Sequence, residues 1–304
     1  MTAPTESSIE SSTVSKVMLS GNVSLAAGQT SQLAATATLS NGVTQVVTEL
    51  AAWQSSNTSV AIVSATGLVT AVNNGAATIT ATYKAVAGTF SMTTFRLPTG
   101  PPWVRTLYLA PADREFRSDF STAIGTALTS MQLWYREQLG DRTFSISSTQ
   151  PEQCRLTQPA SYFLSDSWTK VMSEVQRCAP VGYFSTQTTW VLYVDAEHTC
   201  NAPGRLGAAS SGVAILPRMD LVGLAGGRSL DDCGGDVTRP VNRWIGGLGH
   251  ELGHAFYLPH PPGCDAGAPS CDSAALMWAG YASYPNTYLR DDEKAVLRTS
   301  VFLR

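Results

Sequence analysis

The sequence predicts two domains, an all-β sandwich followed by an α+β domain, and three observations carry that expectation. Residues 15–96 contain neither Cys nor His and alternate apolar with polar side chains in short runs. Residues 97–102 read Leu-Pro-Thr-Gly-Pro-Pro, a linker whose prolines favour extended backbone over helix. From residue 103 to 304, strand-length and helix-length apolar patterns take turns, and every Cys and His of the chain lies there.

Residues 1–14 have no basic start and no apolar core, so they read as a flexible segment of a mature or truncated chain and not as a signal peptide. In the first domain Leu33, Ala35, Ala37 and Leu39 alternate with polar residues, as do Ile79, Ala81 and Tyr83. Asn41-Gly42, Thr66-Gly67 and Asn73-Asn74-Gly75 supply turns. About seven such half-buried strands close most simply as a sandwich. In the second domain, strands are expected at Val104–Leu109, Thr143–Ser147, Trp190–Val194 and Gly212–Leu216. Helices are expected over 113–139, where Phe116, Phe120, Ile124, Leu128, Met131 and Tyr135 recur at helical spacing, and over Ser167–Cys178.

With 304 residues and 43% hydrophobic content, each domain can bury a core. A net charge of −3 offers no basic stripe for nucleic acid, and no apolar run reaches the ~20 residues of a membrane span. The six cysteines, at 154, 178, 200, 233, 264 and 271, suit disulfides in an oxidising compartment, and no C-x-x-C pair suggests a second metal. Cys264 and Cys271 bracket a short loop and are expected to pair. Sequential pairing then joins Cys154 to Cys178 and Cys200 to Cys233, the alternative being buried free thiols in a cytosolic enzyme. The chain is therefore expected outside the cytosol, as an extracellular, cell-surface or periplasmic protein.

Residues 250–260, His-Glu-Leu-Gly-His-Ala-Phe-Tyr-Leu-Pro-His, hold three of the four histidines. On a helix His250 and His254 lie one turn apart on one face and can reach a single cation, with Glu251 beside them to handle water on that cation. His260 follows a helix end expected near Pro259 and can return as a further ligand. Ile245, Leu248, Leu252 and Phe256 form the buried stripe of the same helix. Gly246, Gly247, Gly249 and Gly253 each cost roughly 1 kcal/mol in helix propensity, so tertiary burial must hold it.

This spacing resembles the metzincin metallopeptidases, with HExxHxxGxxH and a methionine turn beneath the metal. The resemblance implies a zincin fold, one catalytic Zn2+ on His250, His254 and His260, and Glu251 as general base and acid in peptide hydrolysis. Tyr257 departs from the pattern, standing where the family has glycine; it is expected to keep φ negative while Pro259 redirects the chain, with Asp265 and Glu293 as substitute third ligands. Ser273–Tyr281 is similar to the Met-turn, with Met277 as its floor and Tyr281 as a candidate for the metal or the oxyanion, or a plain pocket-lining tyrosine. By the same resemblance Gly212, Val213, Ala214, Ile215 and Leu216 form the strand that pairs with an extended substrate.

Trp53 to Val63, Gly67-Leu-Val-Thr-Ala-Val and Gly75-Ala-Ala-Thr-Ile-Thr-Ala resemble bacterial Ig-like domains of group 2, which implies a spacer or adhesive unit of an exported protein. The sequence thus reads as a secreted or surface zinc endopeptidase acting on protein. Two alternatives stay open: a glycoprotein-directed peptidase whose Ig-like module docks on glycan or host surface, and a non-catalytic adhesin with a degenerate peptidase fold. His198 reads as a surface or satisfied histidine, with substrate contact as the other reading. Asp231, Asp232 and Asp236 could bind calcium or simply form a solvated acidic loop beside Cys233.

Overall fold

A computed structural model describes residues 13–197, 206–227 and 239–304. The chain divides into two compact units, Met1–Leu97 and Pro98–Arg304. Most of the flexible segment expected at 1–14 lies outside the described residues.

The first unit is a β-sandwich of ten short strands where about seven were expected from its alternation: β1 (Val14–Ser20), β2 (Ser24–Ala26), β3 (Thr30–Gln32), β4 (Ala34–Leu39), β5 (Thr44–Val46), β6 (Ala52–Ser55), β7 (Ala61–Val63), β8 (Leu68–Ala71), β9 (Gly75–Tyr83) and β10 (Val86–Phe95). They form sheets in the orders β1-β4-β5, β2-β10-β9-β6 and β3-β8-β7. The higher count has a physical cause: residues with positive φ, such as Gly28 between β2 and β3, cut long apolar alternations into pieces. Leu33, Ala35, Ala37, Ile79 and Ala81 point inward as their alternation requires. Trp53 packs against both halves of the core and donates its indole N–H to the Thr48 carbonyl at 2.8 Å.

In the second unit β11 (Trp103–Ala110), α1 (Ser118–Leu139), β12 (Ser145–Ile146), β13 (Glu152–Arg155), α2 (Ser167–Val175), β14 (Thr188–Val194), β15 (Ala208–Ser210), β16 (Val213–Leu216), α3 (Arg218–Leu224), α4 (Val241–Ala255) and α5 (Asp291–Thr299) follow in order. The sheet runs β12-β11-β14-β16-β15, with β13 also on β11; every pair is parallel except β15 against β16. Both faces are covered, which is why β14 and β16 read as nearly unbroken apolar runs. Val104, Tyr108, Val191, Tyr193 and Leu216 face the core shared with α1, α3 and α4, whereas Leu107, Leu109, Leu192, Val194 and Ile215 face the core shared with α2. Helix α1 begins at Ser118 and not near residue 113, because Asp113 is used in a loop, where its carboxylate accepts the Ala160 N–H at 2.8 Å.

Cys154 pairs with Cys178 and Cys264 with Cys271, as the sequential pairing requires. The expected Cys200–Cys233 bridge, His198, and the acidic Asp231, Asp232 and Asp236 lie outside the described residues. Among the described residues no helix is long and apolar enough to cross a membrane.

Candidate metal centre

The helix carrying the motif is α4, and its four glycines are where other elements touch it. A Cβ on Gly249 would overlap the Met131 sulfur of α1, one on Gly253 the Met277 sulfur, and one on Gly246 the Tyr281 carbonyl oxygen. Ile245, Leu248, Leu252 and Phe256 are buried in the same core, as their spacing predicts. Close approach on one side and apolar burial on the other hold a segment whose intrinsic helix propensity is poor.

Helix α4 ends in a Schellman motif: the Tyr257 N–H donates to the His254 carbonyl and the Leu258 N–H to the Gly253 carbonyl, both at 2.9 Å. Tyr257 occupies the left-handed position of that motif with φ 72°, so the expectation of a negative φ is wrong. The turn is the one glycine would make; the backbone hydrogen bonds and a ring stack of Tyr257 on Phe184, at 6.4 Å and 23°, hold tyrosine in it. This reversal brings the Leu258 carbonyl under His254 and delivers His260 to the helix face.

The three imidazoles converge. Nε2 of His254 lies 3.1 Å from Nε2 of His250 and 3.1 Å from Nε2 of His260. Each Nδ1 faces an acceptor that carries no proton: the Leu276 carbonyl for His250 at 2.8 Å, the Leu258 carbonyl for His254 at 2.7 Å, and the Asp265 carboxylate for His260 at 2.7 Å. The Nδ1–H groups therefore donate outward, and three Nε2 lone pairs point at one another. Burial, and then the neighbouring His254, push His250 down to about 3, and burial also lowers His254, so both rings are neutral at physiological pH. Facing lone pairs repel unless a cation sits among them. Ligand nitrogens bonded at ~2.0–2.1 Å to a tetrahedral zinc are about 3.3 Å apart, close to the spacing here. The residues present fit that ion, and among the described residues they are the one such cluster of His, Cys, Asp or Glu.

The triad opens on a cleft of about 520 Å³ lined also by Glu251, Tyr281, Arg243 and Asp220. Tyr281 lies with its ring 5.2 Å from that of His250. Met277 is fully buried against Gly253, directly beneath the ligand turn. The two substitute ligands go elsewhere: Asp265 orients His260, and Glu293 caps α5 by accepting the Arg290 N–H at 2.8 Å. The expected substrate strand also needs correction. Gly212 precedes the strand, and Val213, Ala214, Ile215 and Leu216 form β16, an inner strand flanked by β14 and β15. The sheet edge on the cleft is β15, whose Ala208 and Ala209 line it; of β16 only Leu216 reaches the cavity. An inner strand has both hydrogen-bonding edges filled and cannot add another.

Residues 13–94 match the bacterial Ig-like domain (group 2) family. No curated protein matches the chain. Among solved structures, wild-type OgpA from Akkermansia muciniphila is similar at 19% identity over 66% of this chain and 61% of that chain, with a TM-score of 0.43. A catalytically inactive OgpA in complex with an O-glycopeptide (glycodrosocin) substrate is similar at 17% identity, with the same coverages and a TM-score of 0.44. An intimin mutant from EHEC O157:H7 is similar at 26% identity over 26% of this chain and 42% of that chain, with a TM-score of 0.19. The chain thus spans less than two thirds of the OgpA chains it matches.

Sequence reasoning passed over Trp278, whose ring stands edge-on to His260 at 4.8 Å, the β15 edge, and Arg243. Arg243 was legible: with Gly247 and Glu251 it follows i, i+4, i+8 spacing on one helix face.

Proposed function

We propose that the second unit is a zinc-dependent endopeptidase of the metzincin type, exported with an N-terminal Ig-like module. The observation that supports this most is the convergence of three outward-tethered imidazoles on one point, with Glu251 on the next position of the same helix and an open cleft in front. His250, His254 and His260 would hold the zinc ion, which when bound would supply Lewis acidity for activating water at neutral pH and for the charge on the scissile carbonyl. The Glu251 carboxylate takes a proton from the attacking water and passes it to the leaving amine. Tyr281 hydrogen-bonds the developing oxyanion from the wall beside His250. Met277 supports the ligand turn from below, and the β15 edge pairs with extended substrate. The two disulfides and the Ig-like match support export to the cell surface or beyond.

Digestion of a mixed peptide library by the full chain, with and without chelator, tests the reading. One zinc per chain, cleavage abolished by chelation, and a Glu251→Ala protein that keeps zinc but loses turnover are expected. Cleavage by the metal-free protein, or by Glu251→Ala at the wild-type rate, would overturn the mechanism. Zinc binding with no cleavage of plain peptides or of their O-glycosylated versions would leave the adhesin reading in its place, whereas cleavage of the glycosylated versions alone would favour the glycoprotein-directed one.

A further inference from the structure

We infer that Arg243 is the anion-recognising residue of the cleft and that it reads a substrate carboxylate at, or one residue from, the bond that is cut. This rests on the peptidase reading of the site. Arg243 lies in α4 seven positions before His250, and its side chain runs toward the triad: Nη1 lies 2.8 Å from where a Cβ on Gly247 would sit. A side chain at 247 would have to push the guanidinium aside, so the bare glycine leaves it room to lie along the cleft face of the helix. Gly247 is three residues from His250, about 4.5 Å along the axis. One extended substrate residue covers about 3.5 Å, which places a carboxylate bound there within roughly one residue of the triad.

The guanidinium is held but not neutralised. Its central carbon lies 4.4 Å from the Trp244 ring and 4.7 Å from the Tyr281 ring, so two aromatic faces fix its plane. Among the described residues it takes part in no hydrogen bond or ion pair. Asp220 Oδ1 lies 3.7 Å from the same Gly247 point. A structural arginine spends its five N–H donors on carbonyls and carboxylates, whereas this one keeps them for something that enters the cleft. Of the described cleft residues Arg243 is the one with a permanent positive charge, opposite the carboxylates of Asp220 and Glu251. Its charge is also among the smaller influences, after burial and His254, that lower the His250 pKa, as its proximity requires. A planar fork aimed at bidentate contact suits a carboxylate, either an acidic side chain or the free C-terminus of the substrate.

The test uses the full chain loaded with zinc and one peptide that it cleaves. Glu, Gln or Lys is placed in turn on either side of the scissile bond, each as the C-terminal acid and as the amide. A preference of about tenfold or more in kcat/KM for a carboxylate is expected, the scale of a charge-assisted pair. It should fall to within about twofold in Arg243→Gln and turn toward Lys in Arg243→Glu, since a reversed charge repels the acid. Glu-amide favoured over Gln-acid identifies the side chain as the source, and the reverse identifies the chain terminus. Binding of the Glu and Gln amides and of the Gln acid to the Glu251→Gln protein, with and without Arg243→Gln, is measured without turnover. If wild-type protein cuts no peptide, the peptidase reading falls, and that binding comparison still decides on Arg243. Equal binding of these peptides to Glu251→Gln, or a preference that survives Arg243→Gln, would overturn the inference.

Discussion

Met277 packs its sulfur against the bare backbone of Gly253, so a β-carbon at 253 would occupy the space of that sulfur. The contact joins the turn after residue 273 to the helix turn bearing His254, and it explains why the helix has a glycine one residue before that histidine. Gly253→Ala is expected to displace the methionine and weaken zinc retention by about tenfold, the lower end for groups supporting ligands. Truncating the obstruction in Gly253→Ala/Met277→Ala should recover part of the loss. Gly246→Ala is expected to be worse for stability, because its methyl meets the backbone carbonyl of Tyr281, which cannot swing away. An overpacking cost of about 1–3 kcal/mol should exceed the ~1 kcal/mol gained in helix propensity. Chemical denaturation and chelator competition read the two effects separately; an additive 253/277 pair would dismiss the coupling.

Tyr257 holds a left-handed backbone at the end of α4. Replacement by Gly and by Ala removes the Phe184 stack equally, so the difference between the two variants isolates the backbone. Tyr257→Gly is expected to be the more stable by about 1 kcal/mol, opposite to their order inside a helix. Equal melting temperatures would mean that the Schellman turn relaxes without its tyrosine.

Asp265 would act on a zinc held by the triad only through His260. If its carboxylate fixes the ring through Nδ1, Asp265→Asn should keep one zinc per chain while loosening it by about tenfold. His260→Ala should lose far more, since a ligand is gone. Identical zinc affinity in wild type and Asp265→Asn would reduce this contact to a surface pair, as its solvent exposure alone would suggest.

Strands β11, β14 and β16 of the second unit, and helices α1, α2 and α4, were legible because burial writes itself into apolar runs and helical spacing, whereas β13, β15, α3 and α5 were not expected. The approach of His250 to His254 was legible because a helix turn translates i, i+4 spacing into a shared face. What the sequence hid was set by tertiary partners. Ala208 to Ser210 carries no β-branched or aromatic residue, so nothing marks β15 as a strand; its neighbour β16 makes it one. Tyr257 has no local preference for positive φ and receives it from two backbone hydrogen bonds. The glycines of α4 carried a visible cost in the sequence, and for Gly246, Gly249 and Gly253 the reason lay in Tyr281, Met131 and Met277, which are recognisable as neighbours only in three dimensions.

Glu293 gives a pH test away from the metal. It is 5% exposed, one carboxylate oxygen takes the Arg290 N–H, and the other is buried without a hydrogen bond. Burial raises its pKa above the ordinary 4.5. A raised folded pKa means that the folded state binds the proton more tightly, so this contribution is complete below the unfolded pKa and is lost as pH rises through the folded value. Glu293→Gln removes the titration. The stability difference, wild type minus variant, should therefore decline as pH rises from about 4 to 7, whatever its constant offset. A flat difference across that range would mean that water reaches the carboxylate.

The last expectation concerns the division at Leu97 and Pro98. The three histidines, Glu251, both described disulfides and both apolar cores flanking the larger sheet lie within residues 98–304. That unit has the buried surface and cross-links to fold alone, and the three converging histidines all belong to it. Residues 98–304 should be soluble, retain one zinc, and cleave short peptides within about tenfold of the full chain, ~1.4 kcal/mol in barrier. No cysteine precedes Cys154, so the module has no thiolate to place on the metal, and its removal should not unmask activity. Slower cutting of large or surface-bound substrates by the shorter chain would assign the module to targeting. A larger change on short peptides, or an insoluble 98–304, would mean that the two units depend on each other for folding or chemistry.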